Sequence, residues 1–186
     1  MSDAIKRIRA PFDESAARSL RAGDRVLVSG TILAARDAAH KRLVEALNRG
    51  ESLPVDLRGQ VVYYVGPSPA SPGHVIGSAG PTTAGRMDAY TPALLAQGLR
   101  GMIGKGYRSP EVVEAMKTHG VPYLAAVGGA GALIARCIRK YTVLAYEDLG
   151  PEAVAALEVE DFPAIVVIDS AGQNYYEAGQ AAYRQL

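Results

Sequence analysis

With 186 residues the chain is long enough for one domain with a substantial core. Its apolar fraction of 48% and charged fraction of 21% are those of an ordinary globular protein, which excludes a low-complexity or natively unfolded chain. A formal net charge of +1 gives no electrostatic reason to expect nucleic acid or an anionic membrane surface as partner.

Residues 1–22 mix charge with small side chains and read as an N-terminal extension, ending in the turn Arg21-Ala22-Gly23-Asp24. A single domain is expected over 23–186. Arg25 to Leu33 is strand-like, with Gly30 interrupting it. Ala35 to Asn48 has helical character: Ala39, Leu43, Val44 and Leu47 fall on one face, and Gly50 ends it. Arg36 and His40 lie four apart and share a face of that helix or of its first turn. Lys41 and Arg42 follow directly, so a solvated basic face explains the same residues.

Val61 to Val65 is a buried strand closed by Gly66-Pro67, and Ser68 to Gly73 a Pro/Ser connection. His74-Val75-Ile76 reads as a brief strand feeding Gly80-Pro81-Thr82-Thr83-Ala84-Gly85-Arg86-Met87-Asp88. This polar, Gly- and Pro-bearing stretch is a poor strand and a poor helix interior. It reads as a tight loop into a helix carrying Met87, Tyr90, Leu94 and Leu95, whose start, or Thr91-Pro92, suits an anion. Arg86 adds a planar fork for a carboxylate or phosphate, though a capped helix with an exposed arginine fits as well.

Gly101 to Gly106 reads as a strand ending in a glycine-flanked lysine, Lys105. A phosphate loop is excluded, because Leu99 stands where its first glycine belongs and Gly106 where its hydroxyl belongs. Ser109-Pro110-Glu111 opens a helix that Gly120 stops. Pro122 to Val127 is a strand running into Gly128-Gly129-Ala130-Gly131, an imperfect dinucleotide fingerprint with Ile134 at the third glycine position. Those glycines fit close packing of the next helix, Ala132 to about Arg139, against the sheet. Cys137 is expected inside that helix as a small buried residue.

Thr142 to Ala145 is a short strand, Pro151 to Leu157 a short alanine-rich helix, and Ala164 to Ile168 a buried strand. Asp169 to Gly172 then turns into a tail with Tyr175, Tyr176 and Tyr183. Strands alternating with helices give an α/β layered domain. A lone cysteine excludes an internal disulfide, and His40, His74 and His119 show no ligand spacing, so no metal site of the chain's own is expected. No apolar run approaches the roughly 20 residues of a membrane span and no signal-peptide core is visible, so a cytoplasmic protein is expected.

Arg36, Arg86 and Lys105 each sit at a junction between predicted elements with a glycine close by. If the junctions converge, two guanidiniums, one ammonium and the hydroxyls of Thr82 and Thr83 suit a small dicarboxylate. Without a placed histidine or carboxylate pair, the set binds an acid more readily than it transforms one.

The motifs SGTILAARDAAHKR (Ser29 to Arg42), GPTTAGRMD (Gly80 to Asp88) and GKGYRS (Gly104 to Ser109) resemble the β subunit of class I fumarate hydratase, as do YEDLG (Tyr146 to Gly150) and VEDFP (Val159 to Pro163). That subunit is equivalent to the C-terminal domain of the single-chain iron–sulfur enzymes, and the L-tartrate dehydratase β subunit is a close relative. The resemblance runs from about Gly23 over nearly the whole chain. It implies a swivelling β/β/α domain, a layered sheet with packed helices. It implies reversible hydration of fumarate to L-malate in an α2β2 hetero-oligomer, with the [4Fe–4S] cluster carried by a separate α subunit and this chain inactive alone. Carried onto matching positions, Arg36, Arg86 and Lys105 bind substrate and Thr82 is the proton-abstracting base. His40, Thr83 and Asp88 stand behind them as supporting groups. A threonine hydroxyl is a poor base, so its anion needs neighbouring positive charge. The alternatives are an L-tartrate dehydratase β subunit and a non-catalytic dicarboxylate-binding module.

Overall fold

A computed structural model describes residues 4–184. Its strands are β1 (Lys6–Ala10), β2 (Arg25–Ala34), β3 (Val61–Tyr63), β4 (Gly101–Gly104), β5 (Tyr123–Ala125), β6 (Ile138–Ala145) and β7 (Val154–Ile168). Its helices are α1 (Glu14–Ser19), α2 (Asp37–Asn48), α3 (Thr91–Ala96), α4 (Pro110–His119), α5 (Gly131–Ala135) and α6 (Tyr175–Tyr183). Single 3-10 segments cover Ala84–Met87 and Glu147–Glu152. The expected α/β class is met, with all seven strands in one sheet.

β2, β3, β4 and β5 are parallel neighbours in that order. β7 runs antiparallel to β5 and also to β2, so the pairings return on themselves: β2-β3-β4-β5-β7 and back to β2. Ring closure removes the unpaired edges that an open sheet of these strands would present. β1 adds to β2 in parallel, and β6 adds to β7 antiparallel. β7 reaches all its partners because it is 15 residues long.

Strand residues alternate between two apolar clusters, as a pleated strand buried on both faces requires. Val61, Tyr63 and Val65 join Val28, Ile32, Leu157 and Phe162 on one side. Val62 and Tyr64 join Leu43, Met87, Leu94, Met102, Val112 and Met116 under the helices on the other. The interruption expected at Gly30 is a bulge against β7. Gly30 has φ +108°, and a Cβ there would lie 2.2 Å from the Ala10 carbonyl oxygen, so no side chain fits where β1 joins.

Several expectations are corrected. His74-Val75-Ile76 is no strand: His74 closes a turn onto the Ser71 carbonyl, and Val75 is 48% exposed with no pairing partner. The helix expected over Pro151 to Leu157 stops as a 3-10 segment at Glu152, and β7 begins at Val154. Alanine propensity is overridden there because Ala155 and Leu157 are buried in a strand paired on both edges, to β2 and β6. The helix expected to reach Arg139 ends at Ala135, since Ile138 and Arg139 belong to β6. Cys137 therefore sits between the two elements, half-buried, with burial raising its thiol pKa.

β1 and α1 lie within the leading stretch 1–22. In the tail, Tyr176 packs on Tyr107 with ring centroids 5.1 Å apart, and the ring of Tyr175 covers Gly23. The side chain of Tyr183 lies outside the described residues. No helix among the described residues is long and apolar enough to cross a membrane.

Candidate active site

The four parallel strands point their carboxyl ends the same way, and each leads into a functional segment. β2 leads to Arg36, β3 to Gly66, β4 directly to Lys105, and β5 to Gly128-Gly129. Ligands of parallel α/β sheets sit outside such ends. The Gly80–Asp88 loop is bound across two of them. Thr82 donates its backbone N–H to the Tyr64 carbonyl at 2.7 Å and accepts from the Lys105 N–H at 3.2 Å. Ala84 N–H donates to the Lys105 carbonyl at 2.8 Å, so Thr83 and Lys105 form a short parallel bridge. At Gly104 a Cβ would fall 2.8 Å from the Tyr64 ring, so the glycine lets loop and strand approach. Gly131 serves the same purpose: a Cβ there would meet the Gly80 backbone nitrogen at 2.9 Å. The glycines after β5 thus pack against a loop as well as starting a helix.

The helix start expected in this loop is a 3-10 turn, and the α-helix begins at the alternative start, Thr91. The segment is a single 3-10 turn, and the N–H groups of Thr82, Ala84 and Arg86 are taken by the carbonyls of Tyr64, Lys105 and Thr83. The loop offers its side chains instead. Thr82 is half-buried and Thr83 exposed, and neither hydroxyl has a hydrogen-bond partner among the described residues. The exposed Lys105 ammonium has no ion-pair partner among them either.

Arg36 and Arg86 are brought together by Asp37, a residue that no sequence pattern singles out. One oxygen of Asp37 accepts the Arg86 Nε–H at 2.7 Å, and the other lies 3.3 Å from Arg36 Nε. Arg36 Nη2 also pairs with Glu152 at 2.9 Å, whose second oxygen accepts the Ala38 backbone N–H at the start of α2. Gly66 gives the Arg36 guanidinium room, since a Cβ there would lie 2.7 Å from Nη1. Two guanidiniums thus face two carboxylates, and Lys105 is the uncompensated charge. The structure makes two groupings, Thr82-Thr83-Lys105 and Arg36-Asp37-Arg86-Glu152, both at the strand ends. An open groove of about 830 Å³ lies on the Arg36 side, lined also by Gly66, Ser68, Ser78, Gly80 and Glu152.

His40 and Asp88 lie behind these side chains. His40 is 1% exposed, sits edge-on to Tyr64 at 5.3 Å, and holds Nδ1 3.0 Å from the Arg36 carbonyl, which assigns the proton to Nδ1. Burial lowers its pKa to about 4, and the nearby Arg108 charge works in the same direction, so it is neutral at neutral pH. Asp88 pairs with Arg108 at 2.7 Å. Arg108 is fully buried among Tyr64, Thr91 and Tyr123, donating to the first two at 3.1 and 2.7 Å. Burial disfavours its charge, but the Tyr64 oxygen and the Asp88 carboxylate more than offset this, and its pKa stays above the usual arginine value. Arg108 stands in the GKGYRS motif yet carries no signal separating a buried clamp from a surface charge. Glu152 came from a stretch read as helix.

An iron–sulfur cluster does not fit this chain's donors. Cys137 is the one cysteine, and no three His, Cys, Asp or Glu side chains among the described residues converge on a metal position.

A family model described as "Fumarase C-terminus" matches residues 4–179, which includes every side chain of both groupings. The chain belongs to the fumarase C-terminus family. It is 44% identical over 156 residues to fumarate hydratase 2 of Leishmania major, covering 83% of this chain and 28% of that protein. To the aerobic class I fumarate hydratase of Escherichia coli it is 43% identical over 155 residues, 82% of this chain and 28% of that enzyme. This fumarase C-terminus chain thus spans little more than a quarter of such relatives. A Methanocaldococcus jannaschii chain provisionally named an L(+)-tartrate dehydratase subunit beta is 39% identical over 176 residues, 91% of this chain and 90% of that one.

Proposed function

We propose that this chain is the substrate-gripping β-type half of an iron–sulfur hydro-lyase that interconverts fumarate and L-malate. The observation that carries it is the backbone hydrogen bonding of the Thr82–Ala84 segment to Lys105, which sets two threonines with unbonded hydroxyls and a lysine without an ion-pair partner among the described residues side by side at the strand ends. A lysine left unpaired among arginines that already have carboxylates awaits an anion. Fumarate brings two.

In this function Lys105 and the unused N–H groups of Arg86 hold the substrate carboxylates, with Arg36 fixing the far side. Thr82 accepts the proton removed from carbon when malate is dehydrated. Its alkoxide is stabilised by the Lys105 charge once the closed assembly excludes water. The [4Fe–4S] cluster is carried by an α-type partner, as this chain's donors do not fit one. The domain is of the swivelling β/β/α type, closing as a unit over the partner in an α2β2 assembly.

The length of the tartrate dehydratase relative supports a second reading of the substrate. A free-standing chain of nearly the same extent bears that name, so L(+)-tartrate is the second candidate, with the same residue roles. The test is co-expression with the α-type subunit and anaerobic cluster reconstitution, comparing hydration of fumarate with dehydration of L-tartrate. Fumarate turnover that neither subunit shows alone is expected. Turnover by the cluster-free isolated chain would overturn the subunit role, and a preference for tartrate would change the substrate.

A further inference from the structure

We infer that Asp37 is a positioning residue that sets the direction of Arg86, a role that rests on the dicarboxylate function proposed above. Asp37 opens α2, so its backbone is held by the helix, and its side chain is only 27% exposed. Arg86 belongs to a 3-10 turn on another loop, is 53% exposed, and makes one side-chain hydrogen bond, to Asp37 Oδ1. An exposed arginine with no anchor samples many rotamers and presents no fixed face to a ligand. By occupying Nε, Asp37 leaves the paired terminal nitrogens as the edge that faces an incoming carboxylate. Its second oxygen, toward Arg36 Nε, ties that direction to the other guanidinium, which Glu152 and the gap at Gly66 keep in place. One carboxylate thereby sets the relative placement of two arginines from two segments.

Asp37 also carries the same charge as the ligand. It therefore improves geometry while opposing ground-state affinity, and removing its charge separates the two effects. In the assembled, cluster-bearing complex, Asp37→Asn is expected to lower kcat for fumarate hydration about ten-fold, with succinate inhibiting at an unchanged or lower concentration. A group needed only to hold the site together gives a different pattern, loss of succinate binding together with turnover.

The Arg86→Ala, Asp37→Asn double variant supplies the second readout. If Asp37 acts through Arg86, the double variant is no slower than Arg86→Ala alone, within about two-fold. Multiplying losses overturn the inference, and so does full turnover in Asp37→Asn. Arg86→Ala tests the underlying function separately: full turnover there removes the assigned role of Arg86 whatever Asp37 does. Thermal unfolding of the variant chains establishes that they fold. Should Asp37→Asn fail to fold, Asp37→Glu keeps the charge and shifts the oxygens by one methylene. A loss of turnover with succinate binding kept is again expected, and unchanged turnover overturns the role.

Discussion

The Asp88 carboxylate receives the Nε–H of Arg108 through one oxygen and the backbone N–H of Ser109 through the other, both at 2.7 Å. The end of the Gly80–Asp88 loop is thereby fastened to the segment that begins with Lys105. The fastening is buried, since the Arg108 side chain has no exposed surface and continues into Tyr64 and Thr91.

Asp88→Ala leaves that guanidinium buried without its counter-ion, a change that typically costs about 3 kcal/mol or more. The chain is expected to unfold at a clearly lower urea concentration, with a smaller loss for Asp88→Asn, which keeps an acceptor. Equal stability of wild type and Asp88→Ala would show that the tyrosine contacts suffice for Arg108.

Gly66→Ala separates placement from stability at Arg36. The added methyl meets the far end of a flexible side chain, Nη1 at 2.7 Å, so the guanidinium moves while the backbone stays. Stability should change by about 1 kcal/mol or less, as for a substitution absorbed by a mobile group. Turnover of the assembled complex is expected to fall several-fold. A several-fold loss of stability with normal turnover in the survivors would refute this separation.

Lys105→Met removes a charge with no ion-pair partner among the described residues, so stability is expected to stay within roughly 0.5 kcal/mol of wild type. Turnover and succinate binding are expected to fail together. Thr82→Ala is expected to bind succinate normally and lose turnover, while Thr83→Ala keeps most of it. Reversal of the two threonine results would transfer the base to Thr83.

His40 makes stability pH-dependent, and the sign follows from its depressed pKa. Unfolded histidine takes up a proton near pH 6.5, whereas buried His40 does so only near pH 4. Between those values the unfolded chain binds more protons, so stability falls as pH falls and the loss is complete below the lower value. The groups facing the ring, Arg108 and Asp37, pull in opposite directions, and burial dominates. From about pH 7 to about pH 5 this one group is expected to remove roughly 2 kcal/mol. Urea unfolding at the two pH values measures it, and a His40→Gln chain with the same slope as wild type would assign the effect elsewhere.

The parts of the chain legible in the sequence are those governed by local pattern. The strand starting at Val61, the Ser109 cap of α4 and the Gly120 stop follow from composition and turn chemistry; the strand ends at Tyr63, two residues short of the expected Val65, although the run stays buried to Val65. Strand ends and neighbouring glycines mark Arg36, Arg86 and Lys105 in the sequence, and the fold sets all three at the carboxyl ends of its parallel strands, while their roles belong to the proposed function. What stayed hidden is long-range. Nothing local in VAALEV distinguishes a helix from a strand, and its state is decided by β2, more than a hundred residues earlier. An aspartate after an arginine has no signature either. Asp37 acquires its meaning only when Arg86 arrives from another loop, and Glu152 only when the start of β7 folds back onto α2.

Ring closure has a temporal side. Arg25 pairs with Ile165, and Ala34 with Ala155. Arg36, Asp37, Thr82, Arg86 and Lys105 all leave the ribosome before the first residue of β7. During that interval β2 and β5 each present an unpaired edge beside apolar faces, the condition that invites pairing with a second nascent chain. Formation of the ring also waits on contacts of high sequence separation, which slows folding. Every one of those site residues is therefore made before the framework that holds it, and the ring stays open until β7 has emerged.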